Sequence, residues 1–331
     1  MSTAPMSSAA PSRGDLIAGY RTMRTIREFE ERLHKEFAAN AIPGAVHLYA
    51  GQEAVAAGAC AVLDGDDYIA STHRGHGHAI AKGCDLRAMA LELYGKAGGL
   101  CGGKGGSMHI ADFARGMLGA NGVAAGGVPL ACGAALSAKH RGTRQVAVAF
   151  VGDGGANQGV FAESLLLAMV WQLPCVFVVE DNGYAQATGT AFHLAGHKVS
   201  ERAAALGMPA ESPDGYDFAA VRAAAARAVD RARSGGGPTL IECTAHRFFG
   251  HMEGWDQQGY RGAGEVEALR AAHDCVRQLR DQLAGDGPSS AAELAAIDGE
   301  VAAAVDAAFD GVAAAPDPDP AQLLADVYVS Y

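Results

Sequence analysis

Two apolar runs that each end in a polar turn restrict the fold of this 331-residue chain more than any other feature. The run 144–151 (RQVAVAFV) leads into GDGG (152–155), and the run 175–180 (CVFVVE) leads into DNG (181–183). Near-continuous apolar runs are typical of strands buried on both faces of a parallel sheet. The segment 157–172 between them has apolar residues at helical spacing. The sequence therefore predicts a right-handed strand–helix–strand unit within an α/β fold.

Apolar residues at helical spacing predict helices both before and after this strand–helix–strand unit. Segments 15–39, 52–63 and 85–94 are predicted helices, with Asp15 as the N-cap of the first, and 239–244 is a further buried strand. Near the C-terminus we predict helices over 265–283 and 291–309, with Ser290 and Glu293 as a capping box for the second. The predicted divisions are a disordered tail (1–14), an α/β domain (15–264), and C-terminal helices with a docking tail that belong to the same domain (265–331).

Composition excludes several classes of protein. A net charge of −11 argues against a nucleic-acid partner, and we find no apolar run of the roughly 18 residues that a membrane span needs. The N-terminus lacks the apolar stretch of a secretory signal. The seven cysteines are odd in number and form no CxxC pair, which is typical of reduced thiols in a cytoplasmic protein.

Asp153 and Asn182 stand where the two predicted strands end. The carboxyl ends of parallel strands open onto one crevice, so these side chains are expected to converge although 29 residues separate them (182 − 153). A carboxylate and an amide oxygen suit Mg²⁺, which completes its shell with phosphate and water. Glycines at 152, 154 and 155 let the backbone approach a phosphate. Each motif alone is most often an ordinary turn, but the pair is more specific.

Three histidines in the segment STHRGHGHAIAKG (71–83) admit several interpretations. His73, His76 and His78 could form a solvated polar loop, a metal site with ligands at i, i+3 and i+5, or part of a catalytic site. The segment GGLCGGKGG (98–106) comes close to a phosphate-binding P-loop, but Gly105 occupies the place of the Ser or Thr that binds Mg²⁺. We therefore reject a nucleoside triphosphatase.

The motif GDGGANQG followed by EDNGY resembles the signature of thiamine-diphosphate enzymes. Four further segments, IPGAVHLYAGQEA (42–54), STHRGHGHAIAKG (71–83), GGKGGSMHIAD (102–112) and FFGH (248–251), resemble alpha subunits of the first component of 2-oxo acid dehydrogenase complexes. Within that family, HRGHGHAIAKG, GMLGANG and the ending DVYVSY are most similar to the acetoin dehydrogenase branch. The resemblance covers about residues 15–331 and implies a thiamine-diphosphate-binding fold: a parallel sheet flanked by helices, with a C-terminal helical extension.

The resemblance also implies roles for individual residues. Asp153 and Asn182 would bind Mg²⁺ through their side chains and Tyr184 through its backbone carbonyl. His76 and His251 would be catalytic. The remaining residues would contact the cofactor: His73, Arg74, Gly122, Ala124, Gly152, Gly154 and Gly155, with Gly122 at the aminopyrimidine. Ala124 departs from the bulkier aliphatic residue that supports the bent cofactor in the family.

By the same resemblance, the chain would work with a beta subunit, two of each forming the assembly. It would cleave acetoin and pass the two-carbon unit to a lipoyl group on a dihydrolipoyl acyltransferase. Pyruvate or a branched 2-oxo acid is the alternative substrate. Gly126 and Gly127 replace a less flexible pair of the family. Together with Ala124 they keep open a third interpretation, a non-catalytic subunit that only binds a partner.

Overall fold

The computed structural model describes residues 10–196, 198–255, 259–285 and 287–325. The helices are α1 (Arg13–Ala38), α2 (Glu53–Cys60), α3 (Gly75–Ala81), α4 (Leu86–Leu93), α5 (Gly127–Arg141), α6 (Gly159–Val170), α7 (Thr190–His193), α8 (Val199–Ala205), α9 (Phe218–Arg233), α10 (Glu265–His273), α11 (Cys275–Ala284) and α12 (Pro288–Phe309). The strands are β1 (Tyr68–Ala70), β2 (Met117–Gly119), β3 (Ala147–Gly152), β4 (Cys175–Asp181), β5 (Tyr184–Ala185), β6 (Thr188–Gly189), β7 (Ala210–Glu211) and β8 (Thr239–Thr244).

A parallel six-stranded sheet in the order β2-β1-β3-β4-β8-β7 forms the centre of the molecule. The predicted strand–helix–strand unit is confirmed as β3, α6 and β4. The two strands run in register from Ala147 opposite Cys175 to Gly152 opposite Glu180. Because both strands end together, the polar turns that follow them lie at one edge of the sheet. A short antiparallel hairpin, β5–β6, follows β4 at that edge.

Side chains that alternate along β3 build the core on both faces of the sheet. Val148 and Phe150 pack in one apolar cluster with residues of α1, α2 and α9. Ala149 and Val151 pack in the other, with residues of α5 and α6. Burial on both faces explains why the strand sequence is apolar throughout rather than alternating. Each large side chain so buried contributes roughly 1.5–3 kcal/mol to stability.

The C-terminal helices pack against α1 through a third apolar cluster, and two predictions for this region are wrong. The helix expected over 265–283 is broken at Asp274, whose carboxylate caps α11 by accepting from the Arg277 N–H. The capping box is absent as well: α12 follows Gly287, and the side chains of Ser290 and Glu293 instead accept hydrogen bonds from Arg13.

The N-terminal helix also begins earlier than predicted. Ser12 is its N-cap, and Asp15 completes a capping box from the third helical position instead of capping the helix itself. The predicted tail 1–14 therefore overlaps α1, and residues 1–9 lie outside the described part. Of the predicted docking tail, Leu323 and Leu324 are 76% and 70% exposed, whereas 326–331 lie outside the description.

Two predictions from composition can be compared with the fold. All seven cysteines are free thiols, and six of them are buried. Among the described residues, we find no helix that combines the length and the apolarity needed to cross a membrane.

Candidate active site

A cavity of about 370 Å³ lies at the carboxyl ends of β3 and β4. Every predicted site residue except His76 borders it, namely His73, Arg74, Gly122, Ala124, Gly152, Asp153, Gly154, Gly155, Asn182, Tyr184 and His251. These residues come from five separate stretches of the chain. The parallel sheet therefore brings together the polar groups that the sequence places far apart.

Asp153 and Asn182 lie on the wall of this cavity, and both are buried. The Asn182 amide N–H₂ donates to Gln52 Oε1 at 3.0 Å, which fixes the orientation of the side chain. Its Oδ1 accepts a long hydrogen bond of 3.4 Å from the Tyr184 N–H and keeps a lone pair. One carboxylate and one amide oxygen therefore border the same cavity, and both are hard ligands of the kind that a small divalent cation prefers.

The electrostatic surroundings of Asp153 also suit a cation. Burial raises the pKa of Asp153, and the neighbouring Asp181 carboxylate raises it further. His193 Nε2, 3.1 Å from Asp153 Oδ2, opposes these effects only in part. A bound divalent cation would offset both the desolvation and the repulsion.

Two buried guanidinium groups carry the opposite charge in the same cavity. Arg74 donates to the carbonyl oxygens of Leu48 and His251 at 2.8 and 2.6 Å. Arg247 donates to the carbonyl of Gln186, and its Nε has no hydrogen-bond partner. Within the described residues neither arginine forms an ion pair with a carboxylate, and burial lowers the pKa of both, that of Arg74 to about 9. Buried guanidinium groups of this kind suit a diphosphate.

Three imidazole rings line the cavity beside these arginines. His47, His73 and His251 each present a ring nitrogen within 4.8 Å of the other two. Arg74 and Arg247 both donate to His251 Nδ1, at 3.2 and 3.0 Å. Burial and the guanidinium charges lower the pKa of His47 and His251 to about 3 and that of His73 further. The rings are therefore neutral, and the adjacent positive charge disfavours a metal ion among them.

His76 is the predicted site residue that the structure does not bring to the cavity. It is fully buried between α1 and the turn at 107–109, with Nδ1 3.0 Å from Glu30 Oε1 and Nε2 3.0 Å from Ser107 Oγ. Nor do His76 and His78 join His73 in the metal site that the i, i+3, i+5 spacing allowed, since His78 contacts Ser71 and Glu180. Among the described residues, the histidines that border the cavity are His47, His73 and His251.

The glycine-rich loop 98–106 binds a carboxylate of its own chain. The N–H groups of Cys101, Gly103, Gly105 and Gly106 donate to Glu92, which is fully buried, at 2.6–3.0 Å. The backbone donors that would hold a phosphate are thus already satisfied. The rejection of a P-loop agrees with this arrangement.

Close backbone approaches shape the rest of the cavity wall. A Cβ on Gly154 would lie 2.6 Å from the Ala185 Cβ, so the hairpin can close over the turn after β3 only if this residue is glycine. Ala125, which also borders the cavity, has a φ of 60°. Left-handed backbone is costly for alanine and is found where the surroundings demand it.

His47 and Arg247 are site residues that the sequence reasoning missed. His47 lies in the segment 42–54 that carried the resemblance, and Arg247 lies four residues before His251. Both are residue types that often bind anions or take part in catalysis, and both lie close to motif residues. These two facts were the only indication in the sequence. No spacing rule connects either residue to the strand ends.

Comparisons with known proteins match most of this chain. The sequence model of a family described as the dehydrogenase E1 component matches residues 21–321. The alpha subunit of acetoin:2,6-dichlorophenolindophenol oxidoreductase from Cupriavidus necator is 53% identical over 316 residues, which cover 96% of this chain and 95% of that protein. The subunit of the same name from Bacillus subtilis is 50% identical over 312 residues (94% and 93%). The pyruvate dehydrogenase E1 component subunit alpha of Rhizobium meliloti is 38% identical over 316 residues (96% and 90%).

Proposed function

Because this chain belongs to the dehydrogenase E1 component family, we propose that it is the alpha subunit of a thiamine-diphosphate-dependent acetoin dehydrogenase. It cleaves acetoin and passes the two-carbon unit to a lipoyl group. The relatives with 50–53% identity over most of their length carry acetoin in their names, whereas the named pyruvate enzyme is 38% identical. This difference favours acetoin over a 2-oxo acid.

The observation that carries the proposal is that one cavity holds both positive and negative side chains whose charges are not fully neutralised by other residues that the structure describes. Arg74 and Arg247 present positive charge without an ion-pair carboxylate among the described residues. Asp153 borders the same cavity, and the nearby Asp181 carboxylate raises its pKa. A magnesium diphosphate carries both complementary charges. We assign the diphosphate to the two arginines with His73, and Mg²⁺ to Asp153, Asn182 and the backbone carbonyl of Tyr184.

When bound, thiamine diphosphate supplies a carbanion that attacks a carbonyl and holds the electron pair released when the adjacent bond breaks. The protein's own residues bind and orient. Gly152, Gly154 and Gly155 admit the phosphates, and Gly122 and Ala124 line the wall toward the aminopyrimidine. His47 and His251, neutral at physiological pH, provide hydrogen bonds for a neutral hydroxyketone. His76 acts indirectly, by holding α1 against α3.

The chain requires a partner, which we take to be a beta subunit in a two-plus-two assembly. Apolar side chains near the cavity are exposed, including Val123 on the rim (69%) and Phe192 (89%), the neighbour of His193. Exposed apolar groups around a polar site are typical of an interface. The acceptor is the lipoyl domain of a dihydrolipoyl acyltransferase. The seven free thiols support a reducing compartment, which we propose is the cytoplasm.

Reconstitution with the beta subunit tests the function. With thiamine diphosphate and Mg²⁺, we expect acetoin-dependent dye reduction with a kcat/KM well above that for pyruvate. Asp153→Ala should abolish cofactor binding and turnover, whereas the exposed control Asp281→Ala should change neither. Faster turnover of pyruvate would transfer the assignment to pyruvate dehydrogenase. Saturable cofactor binding without turnover of either substrate would favour the non-catalytic alternative.

A further inference from the structure

Behind the cavity wall, a hydroxyl, an imidazole and a carboxyl group form a buried chain, here called the Ser71–His78–Glu180 relay. Ser71 Oγ lies 2.7 Å from His78 Nδ1, and His78 Nε2 lies 3.2 Å from Glu180 Oε1. All three residues are at least 98% buried, and Ser71 borders the cavity. The His78 ring stacks on Phe150 with ring centroids 3.8 Å apart, which keeps its plane fixed.

The hydrogen bonds determine which nitrogen of His78 carries the proton. Glu180 Oε1 accepts a hydrogen bond from the Tyr49 hydroxyl and also lies beside His78 Nε2. A carboxylate only accepts, so Nε2 is the donor and Nδ1 holds a lone pair. The Ser71 hydroxyl therefore donates to Nδ1. This is the hydroxyl–imidazole–carboxylate order of catalytic triads, in which the imidazole takes a proton from the hydroxyl and the carboxylate stabilises the resulting charge.

We propose that the Ser71–His78–Glu180 relay takes up the hydroxyl proton of the substrate when the carbon–carbon bond is cleaved, an inference that rests on the proposed acetoin function. Cleavage of a hydroxyketone breaks the O–H bond, and its electron pair forms the C=O bond of the released aldehyde. The electron pair of the broken carbon–carbon bond would stay on the acyl carbon, where bound thiamine diphosphate would stabilise it. The substrate proton passes to Ser71 Oγ as the Ser71 proton passes to His78 Nδ1. A 2-oxo acid would lose carbon dioxide and no hydroxyl proton.

The other rings at the cavity are poor acceptors for this proton. His47, His73 and His251 lie beside Arg74 and Arg247, whose charges oppose a second positive charge. His78 instead lies beside the Glu180 carboxylate and packs edge-on against the Tyr49 ring. Ser71 is a catalytic residue in this proposal, and His78 acts through it.

Ser71→Ala in the assembled alpha–beta enzyme tests the relay with little change of volume. We expect kcat for acetoin to fall at least about 100-fold, as for loss of a general base, with KM unchanged. The solvent deuterium isotope effect on kcat should rise, because proton transfer becomes slower. Affinity for thiamine diphosphate with Mg²⁺, by calorimetry, and deuterium exchange at the reactive carbon of the bound cofactor, by acid quench and NMR, should stay at wild-type values.

Three further variants keep the test decisive. Ser71→Thr retains the hydroxyl and should restore most of kcat. His78→Asn retains a partner for Ser71 but cannot hold the proton, so it should match Ser71→Ala. Ser164→Ala removes another buried side-chain hydroxyl, on α6, and should behave as wild type.

The outcomes separate the two proposals. Wild-type kcat and isotope effect in Ser71→Ala would overturn the relay and leave the acetoin function intact. Cofactor affinity or deuterium exchange reduced as much as kcat would also overturn it, because the network would then only position the cofactor. A wild-type assembly that does not cleave acetoin would overturn the proposed function and the relay together.

Discussion

Replacing Arg74 with methionine tests whether the cavity is built for an anion. Methionine keeps most of the buried volume but removes the charge. Burial is the main cause that lowers the pKa of Arg74 from 12.5 to about 9. Keeping this guanidinium charged therefore costs the folded protein about 5 kcal/mol. Against this, the carbonyl groups of Leu48 and His251 lose their donors, at about 1–3 kcal/mol each.

These opposing effects nearly cancel, so Arg74→Met should leave the cofactor-free assembly within about 3 kcal/mol of wild-type stability. Cofactor binding should change much more. A hydrogen bond to a charged group contributes about 1.5–3 kcal/mol, which predicts a Kd for thiamine diphosphate roughly 10- to 150-fold higher. At a cofactor concentration of about 100 wild-type Kd, ligand stabilisation is about 2.7 kcal/mol, and a 100-fold weaker variant would retain only about 0.4 kcal/mol.

Calorimetric titration and thermal unfolding, each with and without thiamine diphosphate and Mg²⁺, measure both quantities. Arg227→Met, which removes an exposed arginine paired with Glu211, is the control and should change stability by less than about 1 kcal/mol and affinity not at all. A wild-type Kd in Arg74→Met would refute the assignment of the diphosphate to this cavity. A stability loss well above 3 kcal/mol would show that the guanidinium is a structural group rather than an unmatched charge.

Three further predictions follow from the same site. Asp153→Asn should raise the Tm of the cofactor-free assembly and abolish Mg²⁺-dependent binding, because the raised pKa of this carboxyl makes its ionised form destabilising above its unfolded pKa. The free energy of unfolding should fall as the pH drops from 6.5 toward 3, because His251 is protonated in the unfolded chain but stays neutral in the folded protein, where its pKa is about 3. His251→Gln should reduce this pH dependence by up to about 1 kcal/mol per pH unit, after allowance for solvent screening. Urea unfolding at pH 7 and at pH 5 measures the difference. Ala124→Ile should tighten cofactor binding by up to about tenfold in the calorimetric titration, through added apolar contact at the rim; unchanged affinity would mean that this position does not touch the cofactor.

The central sheet was predictable because the apolar sequence of each strand is enough to identify it as a buried strand. The runs that became β3 and β4 are apolar on both faces, and the polar turns after them occupy one sheet edge whatever the details of packing. The placement of Asp153 and Asn182 at one cavity follows from that rule alone.

The helix ends and the direction of the histidines were not predictable in the same way. Asp274 interrupts a periodic apolar pattern because its side chain caps α11, a local hydrogen bond that periodicity does not reveal. His73 and His76 are three residues apart, but α3 begins between them, at Gly75. His73 therefore faces the cavity, while the side chain of His76 reaches Glu30 on α1. Only the tertiary structure fixes which histidine borders the cavity.

The distribution of charge in the cavity implies that metal and diphosphate bind cooperatively. Arg74 and Arg247 both lie against His251, whereas Asp153 and Asp181 repel one another. Free phosphate would neutralise the charge of the two arginines, but the Asp153 and Asp181 carboxylates would still repel one another. Mg²⁺ alone would relieve the carboxylates and add to the positive charge that the arginines already hold. A ligand that carries both charges satisfies both groups, so each component must raise the affinity for the other by the same factor. Thiamine without its diphosphate should therefore bind weakly, and its affinity should not depend on Mg²⁺.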